Sequence, residues 1–279
     1  MSATQTFRKT MTSRYRQAFT VVELLVAVSV MTLIVLVLYG VFDQVQKALR
    51  GNAVQVDVFE GGRSAAEMMT RELEQIRASG IGGGTNFLVR LVSNPTRQEL
   101  MDQFSYRTNV LQEMYFLSRF NKDWSLTGYK VFTNSYGVGT LYRFWTSTNA
   151  SVLTSNNLSA TYLNYCSPKY SNYCQRVTDG VVHFRVRAFG TNGFATTWLT
   201  DHLPPEISAW NDRGTGETEY IFRSNALPSY LEIEMGILEP QILEKYRAMV
   251  NPTVASNYLA RQTGKVHLFQ QRIPIRTAQ

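Results

Sequence analysis

Few side chains in this 279-residue sequence stand at spacings that support catalysis. The three histidines, His183, His202 and His267, are scattered and form no paired-ligand motif such as HExxH. The sequence also lacks a G-x-S-x-G nucleophile motif. Asp201 and Glu206 flank His202 around two prolines, a pattern typical of a loop. We therefore expect no enzyme, no catalytic residue and no cofactor.

One group of oxygen-bearing side chains has the composition of a calcium site. Carboxylate and amide oxygens are the ligands that Ca²⁺ prefers. The group crowds a glycine-containing stretch and comprises Asn211, Asp212, Glu217 and Glu219. Its spacing does not fit an EF-hand loop. A solvated turn is therefore favoured over a Ca²⁺ site, and no metal is expected.

The net charge of +7 suggests an anionic partner, but the position of the charges weakens that suggestion. Four of the 28 basic residues lie in the first 18 residues, where no acid occurs. Without that leader the net charge falls by four, to +3. Elsewhere, Arg185 and Arg187 form only a modest basic face on a predicted strand, and no nucleic-acid-binding motif is present. We expect no nucleic-acid partner.

The two cysteines, Cys166 and Cys174, stand eight positions apart in a tyrosine-rich stretch. In an oxidising compartment they would form one disulfide, worth about 2–3 kcal/mol for so short a loop. A metal site would need further ligands, and no histidine is nearby. If the segment is exported, the disulfide is favoured over two unpaired thiols.

Glu23 is the most unusual acid, because it stands at the start of a strongly apolar run. Leu24 to Phe42 contains no charged side chain, and as a helix it would rise about 28 Å, close to the thickness of a bilayer core. The basic leader predicts a cytoplasmic amino terminus and a periplasmic carboxyl-terminal domain. A secretory signal peptide is disfavoured, because the run is too long and no cleavage site follows it. Glu23 either reaches the lipid headgroups or neutralises a positive charge from another molecule.

The segment from Ala18 to Glu23, with a basic leader before it and an apolar helix after it, resembles the type IV prepilin signature. The resemblance implies that a prepilin peptidase cuts between Ala18 and Phe19 and then N-methylates Phe19. It also implies that Glu23 pairs with the terminal ammonium of a neighbouring subunit in a filament. Ala18 departs from the family, which usually has Gly at that position, and cleavage is expected to be retained.

Beyond Phe42 the apolar residues thin to one stripe at helical spacing, which predicts an amphipathic helix. We expect one long helix from Thr20 to Ala78, bent near Gly61 and Gly62, with its carboxyl-terminal half packed on the following domain. A glycine-rich stretch at 80–84 is expected to end the helix. A phosphate-binding loop is disfavoured there, because the stretch follows a helix and lacks a lysine.

From Phe87 onward the pattern changes to strands and loops. Strands are predicted at 87–93, 111–120, 129–133, 140–146, 181–189, 230–238 and 266–275, with an exposed loop over 146–160. Two short helices are predicted at 240–250 and 253–262. The fold class is therefore α+β, with a long amino-terminal helix laid on an antiparallel sheet. The predicted segments are a leader (1–18), a transmembrane or filament-core helix (19–42), an amphipathic helix (43–79) and a periplasmic β-rich domain (80–279).

The carboxyl-terminal half resembles the minor pseudopilin J family of type II secretion. The resemblance lies in Val177–Arg187, Trp198, Leu227–Met235 and the terminal strand, together with Arg71 to Leu73 in the long helix. Little matches between Phe87 and Arg176, and the helices at 240–262 are additional. The family implies a subunit that helps start or cap a periplasmic pseudopilus. Its implied partners are the peptidase/N-methyltransferase, I- and K-like and major pseudopilins, and an inner-membrane assembly platform.

Two other functions remain open. A minor pilin of a type IV pilus would share the amino terminus and differ in the soluble domain. A membrane-tethered periplasmic enzyme or lectin would need polar side chains that converge in a pocket, and no such set is recognisable in the sequence.

Overall fold

A computed structural model of the chain describes residues 20–92, 96–100, 105–120, 123–133, 137–148, 174–197, 203–211 and 217–276. It confirms the predicted α+β class: a long amino-terminal helix packs against a nine-stranded antiparallel sheet. The chain divides into two compact units between Asn52 and Ala53, and the contacts with the sheet belong to the second unit. The narrower segment limits proposed from the sequence stay predictions.

The helices are α1 (Val21–Leu73), α2 (Pro240–Arg247), α3 (Pro252–Ala260) and a 3₁₀ turn (Thr263–Lys265). Both short helices start with proline, which suits a first helical turn because its missing N–H needs no partner there. In α3 the Asn251 side chain caps the helix by accepting from the Thr253 and Val254 N–H groups. The second short helix thus begins at Pro252, one residue before its predicted start at 253.

The single long helix is confirmed, but it ends five residues before the predicted Ala78. Ile76 forms a bridge with Ser118, and the Arg77 N–H donates to the Leu117 carbonyl at 3.0 Å. The backbone has therefore already joined the sheet before the glycines begin. Gly80, with φ of +68°, belongs to the turn that leads into the first strand rather than to a helix cap.

The strands are β1 (Thr85–Leu91), β2 (Thr96–Glu99), β3 (Tyr106–Asn109), β4 (Gln112–Phe120), β5 (Asp123–Thr133), β6 (Gly139–Thr148), β7 (Cys174–Phe189), β8 (Ile207–Asn211), β9 (Thr218–Arg223), β10 (Tyr230–Leu238) and β11 (Val266–Pro274). The large sheet has the order β11-β10-β7-β6-β5-β4-β1-β9-β8, and β2 pairs with β3 separately. Every strand pair within both sheets is antiparallel.

The long strand β7 connects two parts of the sheet. Its first half pairs with β6, and its second half pairs with β10, where Glu234 lies opposite Arg185. The second half also forms a parallel bridge between Phe184 and Leu111, just before β4. The Tyr220 hydroxyl of β9 donates to the Val186 carbonyl. These bonds give both edges of the second half of β7 hydrogen-bonding partners.

The main core lies between the inner part of α1, residues 53–73, and one face of the sheet. Ala65, Met69 and Leu73 follow one another at helical spacing, and each is at most 3% exposed. Gly62 continues this buried face, and a Cβ atom there would overlap the ring of Phe269 on β11. The glycine pair at 61–62 was predicted to bend the helix. The structure gives Gly62 a packing role, and the helix continues through the pair.

Two smaller clusters cover other parts of the sheet. One contains Leu88, Tyr115, Leu117, Trp124, Leu126 and Phe144, which alternate with the main core positions and so lie on the opposite face. The other joins α2 and α3 to the sheet through Leu243, Tyr246, Ala255 and Leu259. The additional helices therefore bury their apolar faces against strands β7 and β10 and the residue Val138.

Four strands were not predicted: β2, β3, β8 and β9. The pair β2–β3 consists of mostly polar residues, and its hydrogen-bonding partners lie far along the chain. Asn109 donates to the Gln98 side chain, which in turn donates to the Leu259 carbonyl of α3. Both side chains are at most 1% exposed. Tertiary contact, which has no local sequence signal, therefore stabilises this pair.

Candidate functional site

The outer part of α1, residues 21–52, exposes its apolar side chains in every direction. Leu24, Leu33 and Leu36 are 62%, 64% and 67% exposed, and the intervening apolar residues behave alike. Among the described residues, α1 is the one helix long and apolar enough to cross a membrane. This agrees with the predicted membrane anchor in its coarse form. The orientation of the segment and its cellular compartment stay predictions.

The serine and threonine hydroxyls inside this apolar segment bond within the helix. Ser29 Oγ donates to the Leu25 carbonyl at 2.6 Å, and Thr32 Oγ1 donates to the Val28 carbonyl at 2.8 Å. A polar group without a partner is costly in an apolar medium. These back-bonds therefore let Ser29 and Thr32 enter such a medium without an unpaired hydroxyl hydrogen.

Glu23 closes the first turn of α1 together with Thr20. The N–H and the hydroxyl of Thr20 both donate to Glu23 Oε2 at 3.0 Å, and the Glu23 N–H donates to Thr20 Oγ1 at 3.3 Å. This reciprocal arrangement is a capping box, and its Thr-x-x-Glu signal can be read from the sequence. Among the described residues no donor reaches Oε1, so one oxygen is left for another partner.

Several predicted site residues lie outside the described residues. These are the leader, Ala18, Phe19, Cys166, Asp201, His202 and Asp212. Cleavage before Phe19, its methylation and the disulfide between Cys166 and Cys174 therefore stay predictions. Cys174 itself is the first residue of β7.

The oxygen-rich group at 211–219 is not a solvated turn throughout. Asn211 ends β8, and Glu219 lies in β9, only 4% exposed. The Glu219 carboxylate accepts from the Leu91 N–H, and Glu217 pairs with Arg185 at 2.9 Å. Both acids are therefore committed to contacts within the domain. Within the described ranges, no three His, Cys, Asp or Glu side chains are grouped so as to hold a metal ion.

The basic face of β7 is neutralised by acids on neighbouring strands. Arg187 lies 3.1 Å from Glu232 and Arg185 lies 3.4 Å from Glu234, measured between the paired nitrogen and oxygen atoms. Arg272 of β11 also contacts Glu232 at 3.3 Å. The modest basic face of the predicted strand is thus part of a ladder of ion pairs across β7, β10 and β11.

His183 joins this ladder to the segment before β4. The Val110 N–H donates to His183 Nδ1 at 3.1 Å, so the neutral ring carries its proton on Nε2, which lies 3.4 Å from Glu234 Oε2. Burial lowers the pKa of His183, which is 2% exposed. The hydrogen bond from His183, helped by Arg187 and Arg185, lowers the pKa of Glu234 to about 2. A buried, fully bonded imidazole of this kind has a structural role.

The structure also forms a polar cleft that was not predicted. It has a volume of about 380 Å³ and lies where α1 ends over strands β4, β5 and β6. Its lining residues are Glu72, Gln75, Ser118, Asp123, Ser125, Thr127, Arg143, Trp145 and Ser147. On β5 the lining residues Asp123, Ser125 and Thr127 alternate with the buried residues at 124, 126 and 128, which is a signal that sequence reading could have used. The lining residues come together only through the register of three strands. The sequence alone could not have predicted that they converge.

One edge of the cleft is fixed by a hydrogen-bonded triad. Arg143 Nε donates to Glu72 Oε1 at 2.7 Å, and the Tyr129 hydroxyl donates to Glu72 Oε2 at 2.5 Å. Burial and the adjacent Glu72 raise the pKa of Tyr129, which therefore stays a donor. The last turn of α1 is thereby attached to β5 and β6.

A long apolar helix on an antiparallel sheet domain is compatible with a pilin-like fold. No protein-family model, no curated protein and no solved structure matches the chain.

Proposed function

We propose that the chain is a minor pseudopilin, a structural subunit of a periplasmic type II secretion filament. In this account a prepilin peptidase/N-methyltransferase removes the leader before Phe19 and methylates the new amino terminus. The mature subunit then leaves the inner membrane and helps to start or cap a short pseudopilus. The domain beyond the anchor is periplasmic.

The observation that carries the proposal is the exposed outer part of α1. Burying one Val or Leu side chain is worth about 1.5–3 kcal/mol, and the described residues bury none of the apolar window. The segment therefore requires an external apolar environment. A bilayer and a bundle of like helices both provide one, so transfer between them has no large hydrophobic cost.

Glu23 favours the helix bundle over the bilayer. A carboxylate near a bilayer is tolerated at the interface but is costly deeper in the hydrocarbon. In a helix bundle, the oxygen that the capping box leaves available can accept from the terminal ammonium of a neighbouring subunit. The charge is then paired, which is the form that apolar surroundings tolerate. Entry into the filament is favoured by this pairing.

Mass spectrometry of the amino terminus of membrane-purified protein tests the processing step. We expect a chain that begins with N-methylated Phe19. A chain that still carries Met1 would show that the segment is an ordinary anchor and would contradict the proposal.

Co-purification tests the assignment to secretion. We expect the protein to be recovered with a secretin-linked secretion platform and with other pseudopilins. If its loss instead abolishes twitching or DNA uptake and leaves secretion intact, it is a minor pilin of a type IV pilus.

A further inference from the structure

The floor of the polar cleft is a row of three serines on adjacent interior strands. Ser118 of β4 lies opposite Ser125 of β5, and Ser125 lies opposite Ser147 of β6. Serine is not a favoured strand residue, whereas aromatic and β-branched residues fill such positions readily. Three small side chains in one row leave space above the sheet. The cleft exists because of this row.

Trp145 forms a wall in the next row of the same face. It lies opposite Thr127, which in turn lies opposite Phe116 of the buried core. Thr127 is 2% exposed, whereas Trp145 is 49% exposed. One large aromatic face therefore borders a floor of hydroxyl groups at the boundary between the core and solvent.

The charges around the cleft nearly cancel. Arg143 Nη2 lies 2.7 Å from Glu72 Oε1, so this arginine and this acid neutralise each other. Among the described lining residues, Asp123 is the one further charged side chain. The remaining lining groups are one amide, several hydroxyls and the indole. The cleft therefore does not match a strongly anionic ligand or a basic peptide.

We propose that this cleft binds a neutral carbohydrate, with one pyranose ring against Trp145. A pyranose has an apolar C–H face and an equatorial set of hydroxyls. The indole provides a flat apolar surface for the former, and its ring is wide enough to shield that face from water. Serine and threonine hydroxyls both donate and accept, as sugar hydroxyls do, so they pair in either direction.

The size of the cleft and its firm edge agree with this ligand class. A volume of about 380 Å³ is at the small end of the range for ligand sites. The triad of Glu72, Tyr129 and Arg143 fixes one side before any ligand arrives, which reduces the entropy lost on binding. The hydroxyl floor lies on sheet strands and is similarly preorganised.

Calorimetric titration of the full chain in phosphatidylcholine nanodiscs tests the proposal, since many detergents carry sugar headgroups. The probes are maltohexaose, cellohexaose and chitohexaose. We expect saturable binding of at least one probe with a Kd below about 1 mM. Trp145→Ala should weaken that binding at least about tenfold, because the pyranose ring then has no indole surface to stack on.

Phe194→Ala is the matched control, because Phe194 is 74% exposed and does not line the cleft. It should bind the probe as the unaltered chain does, and Trp145→Phe should recover part of the lost affinity. The melting temperature of each variant shows whether the fold is retained. The proposal is overturned if none of the three sugars binds at up to about 10 mM. It is overturned equally if the two alanine variants bind alike.

This inference does not rest on the assembly function proposed above. Sugar binding without filament entry would leave a membrane-tethered lectin, whereas filament entry without sugar binding would leave the pseudopilin alone.

Discussion

The two parts of α1 have the same helical backbone but differ in packing: one part is buried on one face by its own chain, and the other is exposed all around. Residues 21–52 expose apolar side chains all around the helix, while residues 53–73 bury one face, including Met69 and Leu73 at 0% exposure. The inner part takes its apolar partner from the sheet of the same chain. The outer part has no such partner among the described residues and must obtain one from lipid or from other molecules.

The largest difference between the two parts is expected from a matched pair of leucines. Leu73→Ala should lower the free energy of unfolding of the domain by about 2–5 kcal/mol, because it leaves a cavity in the main core. Leu33→Ala removes the same atoms from a side chain that is 64% exposed. Denaturation followed by tryptophan fluorescence should show no change for Leu33→Ala. Equal effects would contradict the division of the helix.

Gly→Ala substitutions in the two parts of α1 compare the effect of adding one methyl group to each. A Cβ at Gly62 would overlap the Phe269 ring, so Gly62→Ala should destabilise the domain by about 1–3 kcal/mol. Gly51 lies in the outer part with open space around it. Gly51→Ala should be neutral or should stabilise the helix by about 0.5–1 kcal/mol. The melting temperature should fall for Gly62→Ala and should stay or rise for Gly51→Ala. An unchanged or raised melting temperature for Gly62→Ala would show that Gly62 has no packing role.

The smallest effect is the pH dependence of the ion-pair ladder. The pKa of His183 is lowered by burial, with Glu234, Arg185 and Arg107 as its charged neighbours. Between that lowered value and about 6.5 the unfolded chain binds more protons, so stability should fall as the pH falls below 6.5. Glu234, with a pKa of about 2, adds a second loss between about 4.5 and 2.

Urea unfolding at several pH values between 5 and 7 measures how the free energy of unfolding changes with pH and so checks the histidine contribution. His183→Gln should flatten the slope in this interval, because glutamine does not titrate. Its amide oxygen can still accept from the Val110 N–H. An unchanged slope would assign the pH dependence to another group.

The sequence was informative about several strands. Tyr230–Leu238 was predicted with the bounds that β10 has, although its apolar and polar residues alternate only in part. The carboxyl end of α1 was placed too late, since the bridge from Ile76 to Ser118 is a tertiary contact. The polar strands β2 and β3 were missed for the same reason.

For the candidate site, too, residues with a local sequence signal could be predicted, whereas those that depend on tertiary contacts could not. Glu23 was identified from composition, because one acid beside a charge-free run is a local signal. Its capping bonds to Thr20 were equally local and were overlooked. The serine row and Trp145 could not have been assembled from the sequence, because their convergence requires the register of β4, β5 and β6.

The central claim is that the charge of Glu23 acts on another molecule and does more than cap its own helix. Two variants separate these roles. Glu23→Gln removes the charge and keeps an acceptor for the capping box, whereas Thr20→Val removes the two bonds of the Thr20 hydroxyl and keeps the charge. Chemical crosslinking in native membranes, read as a ladder of multimers, is the direct measurement. We predict that Glu23→Gln loses the ladder and that Thr20→Val retains it. Retention of the ladder in Glu23→Gln with its loss in Thr20→Val would contradict the account.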